Sequence, residues 1–130
     1  MSNEGQRILI VDDEDCLARL MTTLLEHLGY RVDQASNGEE ALELGSKHDY
    51  SAVICDLLMP TINGIELYQT WQAESPQLAE RVIFVTGDNL GTQTSEFLDV
   101  AGRPCLYKPF DIRDLVATLD EVLGATYASR

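Results

Sequence analysis

The chain has 130 residues, 45% of them hydrophobic, which is the size of one ordinary domain with a proper core. Its 22 acidic and 9 basic residues give a formal net charge of −13, which argues against a nucleic-acid-binding surface and against attraction to an anionic membrane. Neither a bilayer-spanning apolar run nor a signal-type N-terminus is present, and the three cysteines lack metal-ligand spacing, so we expect a protein of the reducing cytoplasm.

Short apolar runs and amphipathic segments alternate along the chain, as is typical of buried parallel strands joined by helices. In chain order they predict strand 7–12, helix 15–28, strand 30–35, helix 37–47, strand 52–56, helix 63–74, strand 81–86, helix 94–100, strand 104–108 and a helix that starts at Asp111 and stops at Gly124. Five such units imply a doubly wound parallel sheet with helices on both faces and strand order 2-1-3-4-5.

Three local signals mark the starts and ends of these helices. Gly29 supplies a stop after the first helix. Asn37 and Asn63 are each followed three residues later by a glutamate, which is the arrangement of a capping box. The second and third helices are therefore expected to begin at these two asparagines.

Charged and hydroxyl side chains stand where four of the predicted strands end. Asp12 and Asp13 close the first strand, Asp56 the third, Thr86 the fourth and Lys108 the fifth. Ligands of open α/β sheets bind outside the carboxyl ends of the strands, so we expect these side chains to share one shallow cleft. Adjacent carboxylates repel each other unless a cation sits among them, and the lysine and threonine favour a phosphate.

The carboxylates suit a small, hard cation such as Mg²⁺ (or Mn²⁺). Asp13 and Asp56 would be direct ligands, Asp12 would act through water, and the backbone carbonyl of Leu58 would be a further ligand. An aspartate can also attack phosphorus and form an acyl phosphate. The lysine and the threonine hydroxyl would then bind two of the phosphoryl oxygens.

Each of these features has an ordinary structural interpretation when it is taken alone. A pair of aspartates at a strand end is often a helix cap, and a lysine before a proline is often part of a surface turn. Four strand ends that carry complementary chemistry in the correct order are hard to attribute to chance. The set as a whole therefore favours a functional site.

Five short motifs occur together: Ile-Leu-Ile-Val-Asp-Asp-Glu at 8–14, Asp-Leu-Leu-Met-Pro at 56–60, Asn-Gly at 63–64, Thr-Gly at 86–87 and Lys-Pro-Phe at 108–110. In this combination the chain resembles the receiver domain of two-component response regulators. The resemblance covers about residues 7–123, and we interpret the chain as one receiver domain over residues 1–130. It implies a flavodoxin-like fold and a cis bond between Lys108 and Pro109.

The resemblance also implies roles for the residues at the strand ends. Asp56 matches the aspartate that takes a phosphoryl group from a phosphohistidine, and Asp12 and Asp13 match the acidic pair. Thr86 matches the switch hydroxyl, and Lys108 matches the lysine that binds the phosphoryl group. The implied partner is a histidine kinase or a histidine phosphotransfer domain, and the implied output is a conformational switch rather than turnover by a conventional enzyme.

One part of the chain departs from the family pattern. The family usually has an aromatic residue three positions before the lysine, and this position is Cys105. Tyr107 stands directly before the lysine, where strand alternation turns it away from Leu106. We therefore expect the usual coupling between the threonine and an aromatic residue to be altered or absent.

Two other functions and three origins remain open from the sequence. A haloacid-dehalogenase-type phosphatase also uses an aspartyl nucleophile, but its lysine precedes the Gly-Asp motif, whereas Lys108 follows residues 87–88. A degenerate receiver would bind a partner without being phosphorylated. Only seven residues follow Leu123, so no output domain is expected. The chain could stand alone, be an excised N-terminal receiver, or belong to a hybrid histidine kinase. The motifs around 81–88 and 102–111 favour the hybrid histidine kinase. Its partner would then be a fused kinase or a downstream protein.

Overall fold

The computed structural model describes residues 6–57, 62–87 and 92–128. Its strands are β1 (Arg7–Val11), β2 (Arg31–Ala35), β3 (Ala52–Asp56), β4 (Val82–Thr86) and β5 (Cys105–Tyr107). Its helices are α1 (Asp15–His27), α2 (Gly38–Lys47), α3 (Gly64–Glu74), α4 (Pro76–Ala79), α5 (Thr92–Ala101) and α6 (Ile112–Ala128). The alternation of strands and helices follows the sequence prediction closely.

All strand pairs are parallel, and the strands lie in the order β2-β1-β3-β4-β5. The predicted doubly wound, flavodoxin-like sheet is therefore confirmed. The chain turns from β1 to β2 on one side and reaches β3 on the other side of β1. This change of direction leaves a crevice at the carboxyl ends of β1 and β3, which is where such folds bind ligands.

Side chains alternate between two hydrophobic cores, one on each face of the sheet. Leu9, Val53 and Phe84 point to the face covered by α2, α3 and α5. Ile8 and Ile54 point to the face covered by α1 and α6. These side chains are at most 1% exposed, and full burial of one such side chain contributes about 1.5–3 kcal/mol. The central strands are thus held rigidly from both sides, which fixes the positions of the residues at their ends.

The predicted helix caps are present with small differences. The Asn63 side chain accepts a hydrogen bond from the Glu66 N–H at 2.9 Å, and the Glu66 carboxylate accepts one from the Asn63 N–H at 3.4 Å, so this capping box is complete. Asn37 accepts from the Glu40 N–H at 2.9 Å, but the Glu40 carboxylate bonds to the Ser36 N–H instead of the Asn37 N–H. Both helices begin where the sequence predicts.

The last helix ends later than predicted, and one short helix was missed. Gly124 was expected to stop α6, but the helix continues to Ala128. A glycine ends a helix when it adopts a positive φ, as Gly29 does at 100°, whereas Gly124 stays helical at a cost of about 1 kcal/mol. The four-residue helix α4 starts with Pro76 at its first position, and Leu78 within it is buried. A proline at this position is a recognised start signal that the sequence prediction did not use.

Two further expectations concern single features. The bond between Lys108 and Pro109 is cis, as the resemblance implied. The Asp111 carboxylate accepts a hydrogen bond from the Arg113 N–H at 2.9 Å, which makes it the cap of α6. Within the described ranges, none of the helices combines the length and the apolar character that a membrane span needs.

Candidate functional site

The three predicted carboxylates meet at the carboxyl ends of β1 and β3. Asp12, Asp13 and Asp56 each offer an oxygen, and these oxygens all lie within 4.8 Å of one another. Asp12 and Asp56 are only 3% and 5% exposed, whereas Asp13 is exposed. The expected acidic cluster is therefore present, with two of its carboxylates buried and the third open to solvent.

Asp12 is held in the turn between β1 and α1. Its N–H donates to the Ala35 carbonyl at 3.1 Å, and its carboxylate accepts from the Glu14 N–H at 2.8 Å. Burial raises the pKa of Asp12 above its ordinary value, and the nearby Asp56 charge adds to this increase. The Glu14 N–H and the Lys108 charge lower the pKa in part. A cation at this position would relieve the same repulsion.

Lys108 reaches the cluster from the end of β5. Its Nζ lies 3.2 Å from Glu14 Oε1, 3.4 Å from Asp56 Oδ2 and 3.7 Å from Asp12 Oδ2. Burial alone would lower the pKa of Lys108, but the Asp12 and Asp56 charges and Glu14 together raise it. The amine is therefore protonated at neutral pH and supplies a positive charge directly beside Asp56.

Thr86 completes the set from the end of β4. Its backbone carbonyl accepts from the Lys108 N–H at 2.7 Å, which ties the two residues together. The side chain is 0% exposed, and its hydroxyl has no hydrogen-bond partner among the described residues. Leaving a buried hydroxyl unpaired costs about 1–3 kcal/mol, so the position favours a ligand that would use it.

Gly64, the first residue of α3, passes directly beneath Asp56. A Cβ on Gly64 would lie 2.6 Å from the Asp56 carbonyl oxygen and 2.9 Å from the Leu57 Cα. Only glycine lets α3 approach the end of β3 so closely. The sequence prediction noted Asn-Gly as a motif but did not recognise this supporting role.

Two residues near the cluster, Leu58 and Glu14, differ from the others in how they relate to the sequence prediction. Leu58 lies outside the described residues, so its carbonyl as a metal ligand stays a prediction. Glu14 was not singled out as a site residue, although among the described carboxylates it lies nearest to the Lys108 amine, at 3.2 Å. The only sequence signal for it was the third acidic residue of the Asp-Asp-Glu motif.

The departure at positions 105 and 107 has a clear structural form. Cys105 pairs with Phe84, and Tyr107 pairs with Thr86, so both face the same side of the sheet. Cys105 packs against the core that contains Phe84, and burial raises the pKa of its thiol to about 11. Leu106 packs into the opposite core, as alternation predicted.

The donor set fits a hard divalent cation and a phosphoryl group. Clustered carboxylate oxygens are the ligands that Mg²⁺ prefers, and the unpaired Thr86 hydroxyl and the Lys108 amine are donors for phosphate oxygens. The residues present are thus chemically suited to both groups. This combination, in a doubly wound α/β domain, defines a class of protein that handles phosphoryl groups at the end of a parallel sheet.

Comparison with known proteins identifies the family. The family model for the response regulator receiver domain matches residues 8–120. The chain therefore belongs to the response regulator receiver family of two-component signalling. This result confirms the resemblance seen in the motifs and decides against the haloacid-dehalogenase-type phosphatase.

Individual relatives agree with this assignment. The chain is 34% identical over 129 residues to the transcriptional regulatory protein SrrA of Staphylococcus aureus, a match that covers 99% of this chain and 51% of SrrA. A CheY-like receiver domain protein of Methanospirillum hungatei is 28% identical with a TM-score of 0.88, covering 96% of this chain and 98% of that one. TrrA of Thermotoga maritima, solved in complex with Mg²⁺ and BeF, is 30% identical with a TM-score of 0.79, covering 91% and 99%. As the match to SrrA shows, the chain spans about half the length of the curated relatives it matches.

Proposed function

We propose that this chain accepts a phosphoryl group on Asp56 in an Mg²⁺-dependent step and signals through the resulting change at its site. The observation that carries the proposal is the position of the Asp56 carboxylate, buried at the end of β3, 3.4 Å from the Lys108 amine. The same carboxylate is part of the three-aspartate cluster. Nucleophile, positive charge and metal-type ligands therefore share one small volume.

The transfer itself needs few groups from the protein. An Asp56 carboxylate oxygen attacks phosphorus, the bond from phosphorus to the donor nitrogen breaks, and the electron pair returns to the imidazole of the donor histidine, which is left neutral once protonated. Asp56 becomes an acyl phosphate, and later hydrolysis by water returns the carboxylate and inorganic phosphate. Catalysis of such a step consists mainly of positioning and charge neutralisation.

Each remaining residue has a role in this proposal. Lys108 binds one phosphoryl oxygen and offsets its charge, and the Thr86 hydroxyl donates to another. Asp12, Asp13 and Asp56 would hold Mg²⁺ (or Mn²⁺), which would supply positive charge to offset that of the phosphoryl oxygens. The complex of TrrA with Mg²⁺ and BeF supports this ligand class for a related protein.

Further aspects of the proposal concern partners and location. The donor would be the phosphohistidine of a histidine kinase or of a phosphotransfer domain, and the receiver would be consumed and reset once per cycle rather than act as a conventional enzyme. SrrA is a transcriptional regulator by name, which supports an output that lies outside the segment matched here. Three free thiols, at Cys16, Cys55 and Cys105, support a cytoplasmic location.

Intact-mass measurement after incubation with acetyl phosphate tests the proposal. With Mg²⁺ we expect one added phosphoryl group on the natural sequence, lost under mild alkali, and none on Asp56→Asn. Asp49→Asn is a matched control, because this aspartate is 95% exposed and precedes β3, at the end of the strand opposite to the site. This variant should be phosphorylated on Asp56 normally.

Two outcomes would contradict the assignment. A phosphoryl group on Asp56→Asn would move the acceptor to another residue. Failure of the natural sequence with acetyl phosphate and also with a panel of phosphorylated histidine kinases would leave a degenerate receiver, which binds its partner without phosphorylation, as the better description.

A further inference from the structure

The side chain of Glu14 makes an unusual contact for its position. Glu14 is the N-cap residue of α1, yet its side chain does not accept a hydrogen bond from the helix it precedes. Its carboxylate instead reaches Lys108, which is 94 positions away in the chain, at 3.2 Å. A carboxylate at a helix N-terminus interacts favourably with the helix dipole, but the Glu14 carboxylate is hydrogen-bonded to Lys108 rather than to an N–H of α1.

Glu14 differs from the two other carboxylates around the lysine. Asp12 and Asp56 have side chains that are 2% and 6% exposed and belong to the metal-type cluster, whereas the Glu14 side chain is 62% exposed and lies outside that cluster. Glu14 is also the nearest of the three to the Lys108 amine. The lysine is therefore shared between the site and a carboxylate at its rim.

We propose that Glu14 is a positioning residue that holds Lys108 while Asp56 carries no phosphoryl group and competes with the incoming phosphoryl group for it. This inference rests on the proposed function of Asp56. An ammonium group has three N–H donors, and those turned towards Glu14 must be redirected before a phosphoryl oxygen can use them. The Glu14 charge also lies beside the amine that would bind the phosphoryl dianion, and it repels that dianion. Both effects slow phosphorylation, and neither requires Glu14 to touch the reacting atoms.

The test compares Glu14→Gln with Asp15→Asn in a phosphorylation assay with acetyl phosphate and Mg²⁺. Asp15 is the matched control, because it is exposed, adjacent and equally charged, but in the described part of the chain it forms no ion pair with Lys108. We expect Glu14→Gln to raise the rate of phosphorylation by about two- to fivefold, the range that corresponds to a partly exposed ion pair. Asp15→Asn should change the rate much less.

Ionic strength provides a readout that a merely structural role of Glu14 would not move. At about 1 M salt the screening length falls to roughly 3 Å, so the competition by Glu14 weakens. The ratio of the Glu14→Gln rate to the natural rate should then fall towards one, while the melting temperatures of the two proteins stay alike at each salt concentration.

The results separate this inference from the proposed function. Absence of phosphorylation on the natural sequence, both with acetyl phosphate and with the panel of phosphorylated histidine kinases, would count against the role of Asp56 itself. Normal phosphorylation with equal rates for the natural sequence and Glu14→Gln would overturn the role of Glu14 alone. An equal increase in Asp15→Asn, or a rate ratio that does not change with salt, would also overturn it, because either result would indicate a general effect of negative charge or of structure.

Discussion

Substitution of Gly64 by alanine tests how closely α3 supports the phosphoacceptor. The added Cβ would lie 2.6 Å from the Asp56 carbonyl oxygen, whereas ordinary contact begins at 3.4 Å, so about 0.8 Å of extra room is needed. All of the nearest atoms belong to the backbone of residues 56 and 57, which cannot move aside by changing a rotamer. The end of β3 and the start of α3 must therefore separate.

The expected magnitude follows from two opposing effects. Overpacking of this kind costs about 1–3 kcal/mol, and the better helix propensity of alanine returns less than ~1 kcal/mol, because Gly64 is the first residue of α3. We expect a net loss of about 1–2.5 kcal/mol, or roughly 4–10 °C in melting temperature for a domain of this size. Phosphorylation of Asp56 should slow on the order of tenfold, since displacements near 1 Å can cost about a hundredfold.

Thermal unfolding and the acetyl phosphate assay measure these two effects. Gly124→Ala is the matched control, because nothing lies within 4 Å of the Cβ it adds in the helix α6. That variant should melt at the same temperature or up to about 4 °C higher, with normal phosphorylation. A Gly64→Ala protein that keeps both the natural melting temperature and the natural rate would refute the argument that this glycine sets the position of Asp56.

Three other predictions concern the metal site, a buried tyrosine and a thiol. Asp13→Asn should weaken Mg²⁺ binding by about tenfold or more in a calorimetric titration without lowering the melting temperature, because Asp13 is exposed, and Asp15→Asn should bind Mg²⁺ normally. Tyr50→Phe should cost about 1.5–3 kcal/mol at pH 7, because the hydroxyl donates to Asp33 at 2.7 Å. Burial raises the pKa of Asp33, but the hydrogen bonds from Tyr50 and Arg7 lower it by more, so the pKa lies below its ordinary value. This stabilisation is therefore present above about pH 4, and the difference in unfolding free energy between the two proteins should narrow in denaturant titrations at lower pH. A difference that stays constant with pH would contradict the argument. Alkylation of Cys105 at pH 7.5, followed by peptide mass spectrometry, should be at least about a hundredfold slower in the native protein than in urea. The reason is that a thiol pKa of about 11 instead of ~8.5 leaves roughly 300-fold less thiolate. Equal rates would show that the thiol is not buried.

The sequence predicted the position of the acidic cluster because the relevant signals are local and the sheet topology brings them together. Apolar runs that end on Asp12 and Asp56 can be recognised without any knowledge of their neighbours. A parallel sheet with right-handed crossovers then brings the ends of its strands to one edge. The separation of these residues in the chain therefore mattered little, and the predicted cluster is present within 4.8 Å.

Features that depend on side-chain direction or on local backbone geometry could not be predicted in the same way. The contact between Glu14 and Lys108 depends on the directions of two long side chains, which no periodicity reports. The close approach of Gly64 to Asp56 depends on the angle at which α3 leaves its loop. The continuation of α6 past Gly124 likewise depends on the backbone conformation of that glycine, since a glycine can occupy either the helical or the left-handed region.

The departure from the family pattern at positions 105 and 107 can be understood from the aromatic packing around β4. The thiol at position 105 lies opposite Phe84, whose ring already meets those of Tyr68 and Phe97 edge-to-face at 5.5 and 5.7 Å. The aromatic packing on this face is therefore supplied by β4, α3 and α5, and does not need a ring from β5. Tyr107, in contrast, is 51% exposed and is the strand partner of Thr86. A movement of Thr86 would act first on Lys108 rather than on position 105, because the Thr86 carbonyl accepts a hydrogen bond from the Lys108 N–H at 2.7 Å.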